Sequence, residues 1–116
     1  MKSEKNISQM RKGVLELCIL AIIAQSEEVY SSDILEQLKQ AELIVVEGTL
    51  YPLLTRLKND GMLSYRWEES RSGPPRKYFR ISAQGQQLLS QLTQTWEAMT
   101  EAVSQILYPS NKNHNV

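Results

Sequence analysis

The sequence has few of the residues on which most enzymes and metal sites depend. Its 116 residues include one cysteine and one histidine, and it contains no glycine-rich phosphate loop and no cluster with metal-ligand spacing. We therefore expect no catalytic, cofactor or metal site. Cys18 lies in the most apolar stretch, where a small core residue is expected. A single cysteine offers no disulfide framework, which favours a cytoplasmic protein.

The chain also lacks net charge, because its 13 Lys and Arg residues are balanced by 13 Asp and Glu residues. No overall field would therefore draw it to nucleic acid. The charges are unevenly distributed, however. Residues 49–80 hold 7 basic and 3 acidic residues (+4), residues 1–48 hold 5 and 8 (−3), and residues 81–116 hold 1 and 2 (−1). Cations that contact phosphates supply most nonspecific affinity for DNA, so the middle segment is the predicted contact surface.

A short amphipathic helix is predicted at the start of this basic segment. Thr49 is a possible N-cap, which would place Pro52 in the first turn, where a missing N–H costs nothing. Gly61 is expected to end the helix. One apolar stripe is formed by leucines at i, i+3, i+4 and i+7, namely Leu50, Leu53, Leu54 and Leu57. The opposite side is either a face exposed only to solvent or a surface that contacts phosphates and base edges. For the second interpretation, the candidate DNA-contact residues are Thr49, Tyr51, Thr55, Arg56 and Lys58.

A β-hairpin is predicted next. Residues 62–67 and 76–81 are rich in aromatic and aliphatic side chains, and the polar, turn-forming residues 68–75 between them predict a long exposed tip. Alternation along the second run places Arg76, Tyr78 and Arg80 on one face of the ribbon. The hairpin's candidates for phosphate contact are Arg71, Arg76, Lys77 and Arg80.

Two further helices are predicted before this segment. Residues 7–25 have helical periodicity and become almost entirely apolar at 17–24, so this helix should be covered on more than one side. A basic start before an apolar run also suggests a signal peptide, but Glu16 interrupts the run, and we expect neither secretion nor a membrane segment. Residues 31–33 offer N-caps for the second helix. Tyr30 and Ser31 at its start are candidates for a phosphate contact, and capping alone is the alternative.

A long C-terminal helix is predicted between the N-cap Ser82 and Pro109. Its apolar residues recur at spacings of 3, 4, 3, 4 and 3, which is a heptad a/d seam: Leu89, Leu92, Trp96, Met99, Val103 and Ile106. So small a domain cannot cover the whole stripe of so long a helix. The pattern therefore predicts a two-fold homodimer held by this helix.

Two motifs carry a resemblance to a known family. Residues 48–63 contain Gly-Thr-Leu-Tyr-Pro-Leu-Leu, then Arg-Leu and Gly-Met-Leu, and residues 73–78 read Gly-Pro-Pro-Arg-Lys-Tyr. Together they resemble the signature of the PadR family of bacterial transcriptional regulators, and the likeness spans roughly residues 10–107. It implies a mainly α fold with a small β-hairpin, a winged helix-turn-helix followed by a C-terminal dimerisation helix, and usually repression. The expected division is a DNA-binding domain over 7–82, a dimerisation helix over 83–108 and a disordered tail over 109–116.

The resemblance also implies a small-molecule effector, and Trp96 is the residue on which this depends. In small PadR-like regulators that sense drugs, paired tryptophans on the dimerisation helices form an apolar slot for planar aromatic compounds, and Trp96 is similar to that residue. Those regulators tend to carry an acidic residue one turn later, where this chain has Thr100. A seam tryptophan that only packs in the dimer is the alternative. The candidate ligand residues are Leu92, Trp96, Met99 and Thr100.

The expected function is therefore a dimeric, sequence-specific regulator of double-stranded DNA. Two recognition helices related by a dyad would bind a pseudo-palindromic operator whose half-sites lie about one helical turn, or a multiple of it, apart. A planar aromatic effector is a further possible partner. The alternative is a dimeric protein-interaction module with a winged-helix fold. Such a module would not need the basic residues of the hairpin.

Overall fold

Four helices and a three-stranded antiparallel sheet make up the part of the chain that the computed structural model describes, residues 14–109. The predictions for residues 7–13 and for the tail beyond 109 lie outside it. The elements in chain order are α1 (Leu15–Ala24), β1 (Val29–Tyr30), α2 (Ser31–Gln40), α3 (Glu47–Asn59), β2 (Leu63–Ser70), β3 (Gly73–Ile81) and α4 (Ala83–Leu107). This arrangement confirms the mainly α fold with a winged helix-turn-helix and a long C-terminal helix.

The core lies between the first three helices and one face of the sheet. Helix α1 contacts α2, β3 and α4, as predicted for a helix that is apolar nearly all round. Three of the four predicted leucines of α3 are buried, and Leu53 is partly buried. The buried apolar residues are Leu15, Ile19, Leu20, Ile23, Val29, Ile34, Leu38, Leu50, Leu54, Leu57, Leu63 and Phe79.

The prediction that α3 begins after Thr49 was wrong. The N–H groups of Thr49 and Leu50 already donate to the carbonyl oxygen of Val46, at 2.9 and 3.1 Å, so α3 begins at Glu47 and Val46 is its N-cap. Pro52 is thus inside the helix rather than in its first turn. Because proline has no N–H, it cannot donate to the carbonyl of Gly48 four residues earlier.

The end of α3 agrees with its prediction. Gly61 has a φ of 83°, and its N–H donates to the carbonyl of Lys58 while that of Met62 donates to the carbonyl of Leu57. These two bonds form a Schellman motif, which stops the helix at a residue with a left-handed backbone. The chain then turns directly into β2.

Helix α2 also begins slightly earlier than expected, since its N-cap is Tyr30 rather than one of residues 31–33. The carboxylate of Asp33 accepts a hydrogen bond from the N–H of Tyr30 at 3.3 Å. Asp33 therefore satisfies a backbone donor from inside the first turn, which is the reciprocal half of a capping box.

The hairpin is longer and its tip shorter than predicted. Strands β2 and β3 pair Leu63 with Ile81, and they continue into residues 68–70 and 73–75, which were expected to belong to the tip. The pairing is irregular between Glu68 and Ser70, and only residues 71–72 form the turn. A third strand, β1, pairs with β3 and was not predicted, because two residues carry no detectable periodicity.

Helix α4 runs for 25 residues and is anchored at its start. The Ser82 hydroxyl accepts from the N–H of Gly85 at 3.0 Å and donates to the carbonyl of Gly61 at 2.6 Å, so the predicted cap also ties α4 to the end of α3. Leu89 and Leu92 are partly buried against the core of their own chain. From Trp96 onwards the seam is exposed. The structure measures 66 × 37 × 20 Å along its principal axes. No helix in residues 14–109 is long and apolar enough to cross a membrane.

Candidate nucleic-acid interface

The outward side of α3 carries the predicted polar side chains. All five of its candidates for DNA contact are exposed, while the leucines of the opposite stripe pack into the core. Helix α3 thus has the two-sided character expected of a recognition helix. The exposed candidates are Thr49, Tyr51, Thr55, Arg56 and Lys58.

Tyr51 is joined to the start of α2. Its hydroxyl oxygen lies 3.0 Å from that of Ser31, and Ser31 is only 3% exposed. The structure therefore revises the prediction that Ser31 contacts a phosphate, because its hydroxyl is buried and already bonded. Tyr51 remains 41% exposed. The hydroxyl pair fixes the direction of the Tyr51 ring and links the second turn of α3 to the first turn of α2.

Two carboxylates from outside the basic segment pair with three of its arginines. Arg56 on α3 forms an ion pair with Glu16 on α1. Arg66 donates two hydrogen bonds to Glu28, at 2.6 and 2.7 Å, and Arg80 lies 3.5 Å from the same carboxylate. The hydrogen bonds from Arg66, and then the charges of Arg66 and Arg80, hold the pKa of Glu28 below its usual value. Arg56 and Arg80 are therefore partly neutralised within the chain.

The other cations of the segment are placed mainly by aromatic rings. The guanidinium of Arg76 lies 5.0 Å from the ring centroid of Tyr30, and the Tyr30 ring packs at a tilt of 41° against that of Tyr78. On the opposite face of the ribbon, Nζ of Lys77 lies 4.4 Å from the ring centroid of Tyr65, and Nζ of Lys58 lies 5.5 Å from the same centroid. Cation–π contacts orient a cation without cancelling its charge.

The seven cations of the segment thus fall into two groups. Arg56, Arg66 and Arg80 have carboxylate partners. Within residues 14–109, no ion pair engages Lys58, Arg71, Arg76 or Lys77. We refer to these four residues as the unpaired cations. The ring of Tyr65 lies under both Lys58 of α3 and Lys77 of the hairpin. Tyr65 therefore links the unpaired cation of α3 with one of those on the hairpin.

Several of these features could not be found in the sequence. Glu16 and Glu28 meet arginines 40 and 38 residues away, and no local pattern signals such a pairing. Tyr30 was a candidate for phosphate contact, but its role as the ring beneath Arg76 depends on the pairing of β1 with β3. The exposed N-cap Val46 was also missed, because α3 was expected to begin later.

Cys18 and the metal-ligand residues add no second site. Cys18 packs against the core, and burial raises the pKa of its thiol, which disfavours the reactive thiolate. Within the described residues, no group of three or more potential ligands is placed to hold a metal ion.

Comparisons with known proteins agree with this architecture. The sequence model of the transcriptional regulator PadR-like family matches residues 19–91. A PadR-like transcription factor from Bacteroides fragilis is 56% identical, with a TM-score of 0.73 over 85% of this chain and 95% of its own. A PadR family transcriptional regulator from Eggerthella lenta is 27% identical, with a TM-score of 0.82 over 90% of this chain and 91% of its own.

A third structure is Bacillus subtilis PadR in complex with operator DNA. It is 22% identical, has a TM-score of 0.63, and is matched over 69% of this chain and 46% of its own. At that identity the likeness concerns the fold.

Proposed function

The chain belongs to the PadR-like family of transcriptional regulators, and from that membership we propose that it binds a pseudo-palindromic operator as a homodimer and represses transcription. It is a regulator and not an enzyme. Its partner is double-stranded DNA, and its place of action is the cytoplasm. The operator complex of Bacillus subtilis PadR, which shares the fold, supports this choice of partner.

The observation that carries the DNA-binding proposal is the position of the unpaired cations. Lys58 of α3 and Lys77 of the hairpin share the ring of Tyr65, while Arg76 stacks on Tyr30 at the start of α2. Lys77 therefore lies beside Lys58 of α3 on one face of the hairpin, and Arg76 lies at the start of α2 on the other face. We assign phosphate contacts to these residues and to Arg71, and base contacts to Thr49, Tyr51 and Thr55. Arg56 and Arg80 contribute less because they are paired, and Ser31 acts by positioning Tyr51.

The outer part of α4, residues 96–107, supports the homodimer. Four seam residues, Trp96, Met99, Val103 and Ile106, are 43 to 78% exposed although they form one apolar stripe. A contiguous apolar stripe of this kind is unfavourable in water and marks an interface. A second copy presents the same stripe, so a two-fold axis can bury both. Leu89 and Leu92 contribute less, since they already pack on their own chain.

A selection experiment tests this function. Random duplexes would be incubated with the full-length protein, and bound DNA sequenced over several rounds, with the molar mass measured by light scattering. We expect enrichment of an inverted repeat and the mass of a dimer. A dimer that enriches no sequence would instead favour a protein-interaction module. Expression of a reporter placed behind the enriched site should fall when the protein is supplied, whereas an unchanged or higher signal would contradict repression.

A planar aromatic effector is a second proposal, and it rests on the partial exposure of Trp96 on the seam. A ligand stacked between the Trp96 rings of two protomers, beside Leu92 and Met99, would alter the spacing of the recognition helices and so the affinity for the operator. Thr100 supplies no charge, and its hydroxyl donates back to the carbonyls of Trp96 or Glu97. We therefore expect no strong preference for cationic ligands.

Tryptophan fluorescence tests the effector proposal. In a Trp67→Phe variant, Trp96 is the remaining tryptophan, because the chain has two. Titration with a planar aromatic dye should quench its emission and release the operator over the same concentration range. Quenching without release, or no quenching, would leave Trp96 as a packing residue of the dimer.

A further inference from the structure

Gly48, the second residue of α3, is a glycine for which the described chain shows no internal requirement. Gly61 has a positive φ of 83°, and at Gly85 a Cβ would lie 2.1 Å from the carbonyl oxygen of Met62. At Gly48, φ is outside the left-handed region, and no atom of the surrounding described residues lies within 4 Å of a Cβ built on its backbone. Gly48 is also exposed. An alanine side chain would therefore project into open space.

Glycine in this position also disfavours the helix, because it loses more backbone entropy on folding than alanine does. Pro52 does not explain its presence. The proline ring approaches the carbonyl of the residue four positions earlier, which is Gly48, but the built Cβ of Gly48 does not meet that ring. Residues 14–109 therefore give no reason for the missing side chain, and its absence leaves room for a contact from outside this part of the chain.

The neighbours of Gly48 indicate what that contact is. Val46 is 67% exposed, Thr49 is exposed, and Glu47 is the acidic residue of the first turn. Residues 46–49 contain no cation, and the Glu47 carboxylate would repel a phosphate. Base edges suit this surface better, because a carboxylate accepts a hydrogen bond from the amino group of cytosine and an apolar side chain packs on the methyl group of thymine.

We propose that the first turn of α3 lies against base edges in the major groove, with Gly48 at the point of closest approach and Val46 against a thymine methyl group. This inference rests on the proposed DNA-binding function and names two residues that determine which sequence is bound. Gly48 acts through the absence of a Cβ, which lets the helix backbone approach the bases. Val46 acts through its exposed methyl groups.

A Gly48→Ala variant tests the first part, because stability and DNA binding should change in opposite directions. At equal protein concentration the variant should unfold at a higher urea concentration than the wild type. Its Kd for the wild-type-selected site should rise at least about tenfold, a factor that corresponds to about 1.4 kcal/mol. Ser90→Ala, at an exposed position of α4, is the matched control. It also improves helix propensity and should leave the Kd unchanged.

Two results would overturn the role of Gly48. One is a stabilised Gly48→Ala protein that binds with wild-type affinity, which would show that the space next to Gly48 is not used. The other is a variant that loses stability together with binding, which would show an internal requirement for glycine. If the wild type selects no DNA sequence at all, the proposed function fails and this inference fails with it. A wild type that selects a site and a variant that still binds it contradict the inference alone.

Deoxyuridine substitution tests the role of Val46. Each thymine of the selected site would be replaced in turn, which removes only the C5 methyl group. At one position per half-site the wild-type affinity should fall roughly fourfold, the effect of exposing one buried methyl group. A Val46→Ala protein should bind the thymine and deoxyuridine forms of that position with more similar affinity. Equal losses for both proteins, or no loss anywhere, would refute the thymine contact.

Discussion

The proposed DNA-contact region (α3 with the β2–β3 hairpin) and the outer part of α4 (residues 96–107) both have exposed faces, but these surfaces differ in kind. The former has a buried apolar side and a polar outer side, and all of its cations except Arg71 are oriented by rings or paired with carboxylates within the described residues. The latter presents an apolar stripe that the residues of the described part of the chain leave exposed. The first surface is stable in water and ready for a charged ligand. The second requires an apolar partner, because water is a poor environment for it.

The largest expected effect comes from placing a charge on the outer part of α4. A Val103→Asp variant would put two carboxylates near the dyad of a dimer, which is strongly unfavourable without partners. We expect a monomer by light scattering and an affinity for the palindromic site at least about a hundredfold weaker, since the second half-site no longer contributes. Ser104→Asp, one residue away and off the seam, is the control and should remain a dimer. A dimeric Val103→Asp protein would contradict the seam assignment.

The next effect concerns the unpaired cations. Replacing Arg76 and Lys77 together by alanine should weaken binding to every DNA sequence. The slope of log K against log salt should become shallower by about 0.9 for each phosphate that is no longer neutralised, or about 3.6 for the four cations that a dimer loses. The dimer should stay intact. Arg76→Lys combined with Lys77→Arg preserves the charge and should keep most of the slope. Unchanged affinity of the double alanine variant in a gel-shift titration would remove the hairpin from the interface.

A smaller effect is expected at the hydroxyl pair of Tyr51 and Ser31. Tyr51→Phe removes one hydrogen bond per protomer at a partly exposed position and frees the ring to turn. Specific binding should weaken roughly fivefold for each half-site, for a bond worth about 1 kcal/mol. Nonspecific binding should change less. Ser31→Ala should reproduce part of this loss if positioning is the cause. Equal losses of specific and nonspecific affinity would instead identify Tyr51 as a phosphate contact.

The smallest effect is expected from Glu28. Glu28→Gln should weaken the ion pairs with Arg66 and Arg80. The nonspecific affinity for DNA should therefore rise modestly, and its salt dependence should become steeper. Glu27→Gln changes the same charge next to it and is the control, since no ion pair of Glu27 occurs within the described part of the chain. Titrations of both variants at several salt concentrations would measure the difference. Equal slopes of log K against log salt for the two variants would show that Arg66 and Arg80 do not contact DNA.

Stability should depend on pH through the same carboxylate. The folded-state pKa of Glu28 lies below its ordinary value of 4.5, so its stabilising effect is fully present above 4.5 and is lost as the pH falls through the folded-state value. Urea unfolding of the wild type and of Glu28→Gln should therefore converge at acidic pH. If the difference in unfolding free energy between the two proteins stayed constant down to the lowest pH, the ionised carboxylate of Glu28 would contribute nothing to stability.

Much of the fold was accessible from local patterns. The leucine spacing of α3, the end of that helix at Gly61 and the cap at Ser82 are each encoded within a few residues, and the structure agrees with them. The start of α3 was not predictable in this way, because Pro52 is normally excluded from helix interiors. The tip of the hairpin was overestimated for a similar reason, since Gly73 and the prolines after it favour turns but here continue β3.

The sequence by itself determined the helical stripes, the basic segment and the apolar seam, because each follows from spacing or composition along a continuous stretch. Only the tertiary structure decided which of those residues remain available to a partner. It buries Ser31, pairs Arg56 with Glu16 and Arg80 with Glu28, and places none of residues 14–109 in the space next to Gly48. Such contacts join residues tens of positions apart. They depend on how the helices and strands pack rather than on any pattern within one of them.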